Sequence, residues 1–156
     1  MSQYRALSAC GKEWVFLREE PFVSESDRAA IQLMSEQAGA NIWRDYISGE
    51  HLYPELFASD MWVNTQVQTE VPWEARWESD NESLPEEVLE YCSQWGQDTR
   101  IYFCCHSDLV FETTWGVFER TWKAFLFLGA DLILVGRKKK QALQFKETGF
   151  VSLLTR

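Results

Sequence analysis

Cys104-Cys105-His106-Ser107-Asp108 is the densest run of reactive side chains in the sequence. As an enzyme site it would use a thiolate on Cys104 or Cys105, which needs a neighbouring base such as His106 or His51. The same run reads as a strand, where successive side chains leave on opposite faces. Cys104 and His106 would then share a face while Cys105 turns away. On the competing expectation both cysteines pack as small hydrophobes and His106 ends the strand. Zinc is a poorer fit. Cys92, Cys104, His106 and His51 are suitable ligand types, but structural zinc sites draw on closely spaced pairs in loops. A strand cannot turn Cys104, Cys105 and His106 inward together, so no metal and no cofactor is expected.

A second constellation is acidic and aromatic. Glu70, Glu74, Glu78, Asp80 and Glu82 lie near Trp73 and Trp77, and paired carboxylates beside aromatic rings suit glycoside hydrolysis. Carboxylates are mostly solvated surface groups, however, and nothing in the spacing singles out an acid and a base. The segment makes a better binding surface. Residues 70–90 hold eight acidic residues against Arg76 alone, with two tryptophans inside. Interfaces favour Trp anchors, and clustered charge steers an oppositely charged partner. Trp73, Glu74, Trp77, Glu78, Asp80 and Glu82 are therefore the predicted binding residues, and a basic protein is the predicted partner.

Arg137-Lys138-Lys139-Lys140 is the one basic run. It could meet phosphates, yet a solvated connector that guards a sheet edge explains it as well. Glycine-rich phosphate loops, the nucleophile elbow and the H-E-x-x-H pair are all missing from the sequence. A non-enzymatic binding or regulatory protein is thus the first reading. The second is a small hydrolase or thiol enzyme using Cys104, Cys105 and His106.

These groups sit in a chain of 156 residues with eight tryptophans and a net charge of −9. A chain of that size buries roughly 70% of its unfolded surface and needs no disulfide or metal staple. The acidity argues against nucleic acid and against anionic membranes. It is unevenly spread: residues 1–100 carry 7 basic and 19 acidic side chains, residues 101–156 carry 8 and 5. Arg5, Lys12 and Glu13 interrupt any signal peptide, and the cysteines, Cys10 among them, form no C-x-x-C pair. A reduced, cytoplasmic protein is expected.

The elements that must position these residues read as α+β: helices on a mostly antiparallel sheet of about four to five strands, in a single layer pair. One domain is expected over 1–156, with 1–23 an arm bearing a short strand at Trp14–Leu17. Ser24 to Met34 has weak helical periodicity, and Ser35 can cap a helix whose stripe is Ala38, Ile42, Trp43, Tyr46 and Ile47. Trp73–Glu78 is predicted as a short edge strand. Ser83 and Glu86 form a capping box for a helix reaching Trp95. Thr99–Cys105 reads as a buried strand. Thr113 or Thr114 can cap a helix over Trp115, Phe118, Trp122 and Phe125. Two hairpins are predicted to follow: Ala124–Leu128 with Leu132–Val135, and Leu143–Lys146 with Phe150–Leu154. Trp43, Trp95, Trp115 and Trp122 fall on apolar stripes; Trp73 and Trp77 do not.

From Trp115 to Gly149 the sequence carries Trp-x-x-Phe-x-x-x-Trp, the apolar run at Phe125–Leu128, Leu132-Ile133-Leu134, Arg-Lys-Lys-Lys-Gln-Ala and Gln-Phe before a glycine turn. With Leu33-Met34-Ser35 and Trp43–Ser48, this resembles a family of small bacterial proteins catalogued as a domain of unknown function. The resemblance implies a bacterial cytoplasmic protein. A Trp- and Phe-bearing helix followed by short strands and a glycine-turned hairpin is also similar to SUKH-type immunity proteins. That likeness implies a protein that neutralises a toxin by binding it.

Overall fold

Every strand among the described residues joins one antiparallel sheet, and the sheet is covered on both faces. A computed structural model describes residues 2–156. In chain order its regular elements are β1 (Tyr4–Arg5), α1 (Glu25–Ala29), β2 (Gln32–Met34), α2 (Glu36–Tyr46), α3 (Trp62–Thr65) and β3 (Val67–Pro72). They continue with α4 (Glu74–Glu78), α5 (Glu86–Tyr91), β4 (Arg100–His106), β5 (Leu109–Thr114), α6 (Trp115–Phe125), β6 (Leu132–Gly136), β7 (Gln141–Phe145) and β8 (Phe150–Thr155). The strand order is β1-β2-β5-β4-β6-β7-β8-β3. Eight strands therefore replace the four to five expected.

The extra strands are those with weak sequence signals. β1 and β2 are very short, and β5 is joined to β4 by a turn at Ser107-Asp108 that carries no glycine. The single layer pair is also corrected. Ile101, Phe103 and Cys105 of β4 enter one core with Trp115, Phe118, Trp122 and Phe125 of α6, Val88 of α5, and Val15 and Phe16 of the N-terminal segment. Tyr102 and Cys104 enter a second core with Trp43 and Ile47 of α2 and Val63 of α3. Strands buried on both sides lose the polar-out alternation that marks a one-sided sheet. That is why the β4 run reads apolar throughout.

Local chemistry accounts for the helix starts. Ser24, Ser35 and Thr114 each accept a hydrogen bond from the backbone N–H three residues on, at 3.1, 3.2 and 3.3 Å. The predicted box at Ser83 does not form, and α5 begins only after Pro85. A residue before proline is pushed out of the helical region, so Leu84 cannot be a first helical residue. The first predicted hairpin is likewise absent. Ala124 and Phe125 complete the stripe of α6, and Leu126–Leu128 follow as a 3-10 turn. The second hairpin is present as β7–β8, turned at Gly149 with φ +94°. Trp14–Phe16 lie in a 3-10 turn rather than a strand. Among the described residues no helix is long and apolar enough to cross a membrane.

Candidate functional site

The acidic, Trp-bearing segment folds as a helix at the end of an edge strand. Pro72 has no N–H to donate to a further ladder bond, so β3 stops there and the chain turns into α4. The predicted edge strand at Trp73–Glu78 is thus this helix, and the edge strand lies just before it. Trp73 and Trp77, four residues apart, fall on the same face. Both rings are half-buried. The indole N–H of Trp73 donates to the carbonyl of Lys146 at 3.2 Å, and that of Trp77 to the carbonyl of Lys123 at 3.0 Å. Backbone acceptors therefore fix both rings, one on the β7–β8 turn and one on α6.

Between these rings and the turn after α6 lies a groove of about 260 Å³, lined by Trp73, Glu74, Trp77, Glu78, Leu126 and Phe127. Phe127 sits at the centre of an aromatic row. Its ring centroid is 5.4 Å from Trp77 and 6.3 Å from Trp14, edge-on to both. Trp14 is 49% exposed, and the guanidinium of Arg18 lies 4.3 Å from the Phe127 centroid. Trp77 and Glu78 are shared with an adjoining cleft, whose other lining residues include Glu20, Asp80, Glu82 and Lys123.

The charges around it are mostly free. Glu74, Glu78 and Asp80 are exposed, and among the described residues none of them forms an ion pair. Glu82 lies 3.9 Å from the Lys123 ammonium. Lys123 itself is buried and donates to the carbonyl of Ser79 at 2.8 Å. All six predicted residues thus lie on the groove or the cleft that continues it. Sequence reading missed Trp14, Arg18, Leu126 and Phe127. Trp14, Leu126 and Phe127 lie in apolar runs, which are indistinguishable from core, and Arg18 carries no signal of its own.

The thiol cluster is arranged otherwise. Cys104 and Cys105 point to opposite faces of β4, as the strand alternation requires, and both are buried. Burial pushes both thiols well above their ordinary range; Cys105 adds to the rise at Cys104, while at Cys105 the charge of Lys12 opposes the rise and Cys10 adds to it. His106 sits beyond a bulge in the β4–β5 pairing, with its ring 5.0 Å from Tyr53. Its Nδ1 accepts from the Asp108 N–H at 3.3 Å, and burial lowers its pKa. Among the described residues no hydrogen bond joins a thiol to His106 or His51. Cys104 and Cys105 are thus packed in the two cores, one on each face of the sheet. Among the described residues, too, no three of His, Cys, Asp or Glu gather as a metal site.

A protein-family model matches residues 4–153. The chain belongs to that family, described as Protein of unknown function (DUF2947). The DUF2947 match spans the whole groove, from Trp73 to Phe127, and extends well beyond the Trp115–Gly149, Leu33–Ser35 and Trp43–Ser48 stretches that suggested the resemblance. No curated protein and no solved structure matches the chain.

Proposed function

We propose that this protein is a non-enzymatic, cytoplasmic binding module that receives a basic segment of a partner protein in the groove of Trp73, Trp77, Leu126 and Phe127. The observation that carries the reading is Arg18 seated over Phe127. The aromatic row already holds one guanidinium, and the unpaired Glu74, Glu78 and Asp80 extend the same environment along the surface. A cation over an aromatic face contributes about 0.5–2 kcal/mol, depending on how dry the site is. Carboxylates at the rim add steering that weakens with salt. Rings held by backbone hydrogen bonds lose little conformational freedom on binding, which favours affinity. Neutralisation of a basic toxin, as the SUKH-type likeness suggests, is one use such a groove would serve.

The test is a fluorescence titration of the full chain with a short synthetic peptide of alternating Arg and Leu, against a Glu and Leu control. The reading requires saturable quenching by the Arg peptide alone, weakened by salt and abolished by Glu74→Lys with Glu78→Lys. Equal binding to the charge-reversed variant, or none to the native chain, overturns it.

A further inference from the structure

The opposite face of the sheet carries a second pocket, of about 330 Å³, and this one is lined by charges of both signs. Its floor is the pair Tyr102 and Glu112, which face each other across β4 and β5. At the strand ends stand Arg100 and Arg137, brought together by a backbone hydrogen bond from the Arg137 N–H to the Arg100 carbonyl at 2.9 Å. Asn41 and Ile42 of α2 form one wall and Tyr4 of β1 the other.

Glu112 is 7% exposed, and the Tyr4 hydroxyl is the one side-chain donor to it among the described residues. Neither Arg100 nor Arg137 forms an ion pair or side-chain hydrogen bond among those residues. A buried carboxylate with a single donor is costly in a folded protein. Two uncommitted guanidiniums beside it make a preformed site for a ligand that supplies what is missing. A bare anion would satisfy the arginines and be repelled by Glu112. A bare cation would meet the reverse. Burial and the Glu112 charge push the Tyr102 hydroxyl up to about 12, so it stays a proton donor at neutral pH.

We infer that this pocket binds a free α-amino acid, its carboxylate held by Arg100 and Arg137 and its ammonium by Glu112. Guanidinium and carboxylate pair with strong geometric preference. The volume of about 330 Å³ accommodates a free amino acid.

Isothermal titration of the full chain with each standard L-amino acid is the test, with acetate, methylammonium and inorganic phosphate as partial ligands. At least one amino acid should bind, and each partial ligand should bind about tenfold more weakly or worse. Arg137→Gln and Arg100→Gln, at exposed positions that the fold tolerates, should each weaken the amino acid by about tenfold. Glu112→Gln should do the same while retaining the Tyr4 contact, with its melting curve as the check on folding. Trp77→Ala, on the other face, should leave this binding unchanged. Absence of heat with every amino acid overturns the inference. So does phosphate binding as tightly as the best of them, or native affinity in both arginine variants.

Discussion

The indole N–H of Trp77 donates to the carbonyl of Lys123 at 3.0 Å, while the ammonium of Lys123 donates back to the carbonyl of Ser79 at 2.8 Å. Two bonds running in opposite directions thus lock α4 to the last turn of α6, and the groove between them is held open by that lock. Replacing Trp77 separates the ring from the bond. Trp77→Phe keeps an aromatic wall and loses the donor, at a cost of about 1 kcal/mol in urea unfolding. Trp77→Ala removes the wall and costs about 2 kcal/mol, less than a fully buried Trp would. Only the alanine variant should lose the Arg–Leu peptide.

Gly149 sits at φ +94°, and a Cβ built there would lie 2.8 Å from Glu74 Oε2. Gly149→Ala should therefore lower stability by about 1–3 kcal/mol, from backbone strain together with the clash. Adding Glu74→Ala relieves the clash and leaves the strain. The double variant should recover part of the loss in thermal melting, and full additivity of the two changes would contradict the contact.

Cysteine accessibility gives a third expectation. Cys92, Cys104 and Cys105 are buried and Cys10 is partly exposed. Iodoacetamide should label one thiol in the native protein and four in urea, read by mass spectrometry. Burial also pushes the Cys92 thiol from 9.0 up to about 12. Folded thiols stay protonated where unfolded ones ionise, so above pH 9 the unfolded chain binds fewer protons. The stabilisation is complete below the unfolded value and is lost as pH rises from about 9 towards about 12. Urea midpoints should be flat to about pH 8 and fall beyond it.

Trp14 is 49% exposed, whereas Trp43, Trp95, Trp115 and Trp122 are each 5% exposed or less. Acrylamide should reach a minor fraction of the tryptophan emission, and Trp14→Phe should shrink that fraction measurably.

Thr114 accepts from the Val117 N–H and starts the helix that brings Trp115, Phe118, Trp122 and Phe125 into the first core. Thr114→Ala should cost about 1 kcal/mol, seen as a lower urea midpoint, and Thr114→Ser should restore most of it.

Parts of this architecture were legible because the chemistry is local. Ser35 and Thr114 announce their helices, Gly149 its turn, and the β4 run its burial. Trp43, Trp115 and Trp122 were assignable to the core from helical spacing and are there; Trp95 is buried too, but beyond α5, which ends at Tyr91 rather than reaching it. What stayed illegible depends on pairing across the sheet. β2 follows α1 so closely that Leu33 and Met34 read as its continuation, and only pairing with β5 and β1 makes them a strand. Trp73–Glu78 alternates well enough to mimic a strand, yet Pro72 ends the ladder and the same residues coil. The groove was half visible: its acidic rim stands out in composition, while Phe127 and Leu126 look like core until the turn after α6 turns them outward.

The strand order also constrains when the molecule can assemble. β4 to β8 occupy the five adjacent central places, whereas β1, β2 and β3 from the first half of the chain take the two edges. β3 pairs only with β8, the last strand made, and β2 reaches the sheet only through β5. The segments before β4 therefore have no sheet to join until β5 and β8 are in place. Their apolar side chains, Trp43 and Phe16 among them, wait for the C-terminal meander before either core can close. Contacts this distant in sequence slow folding, and the surplus negative charge of that first half keeps the waiting segment soluble in the meantime.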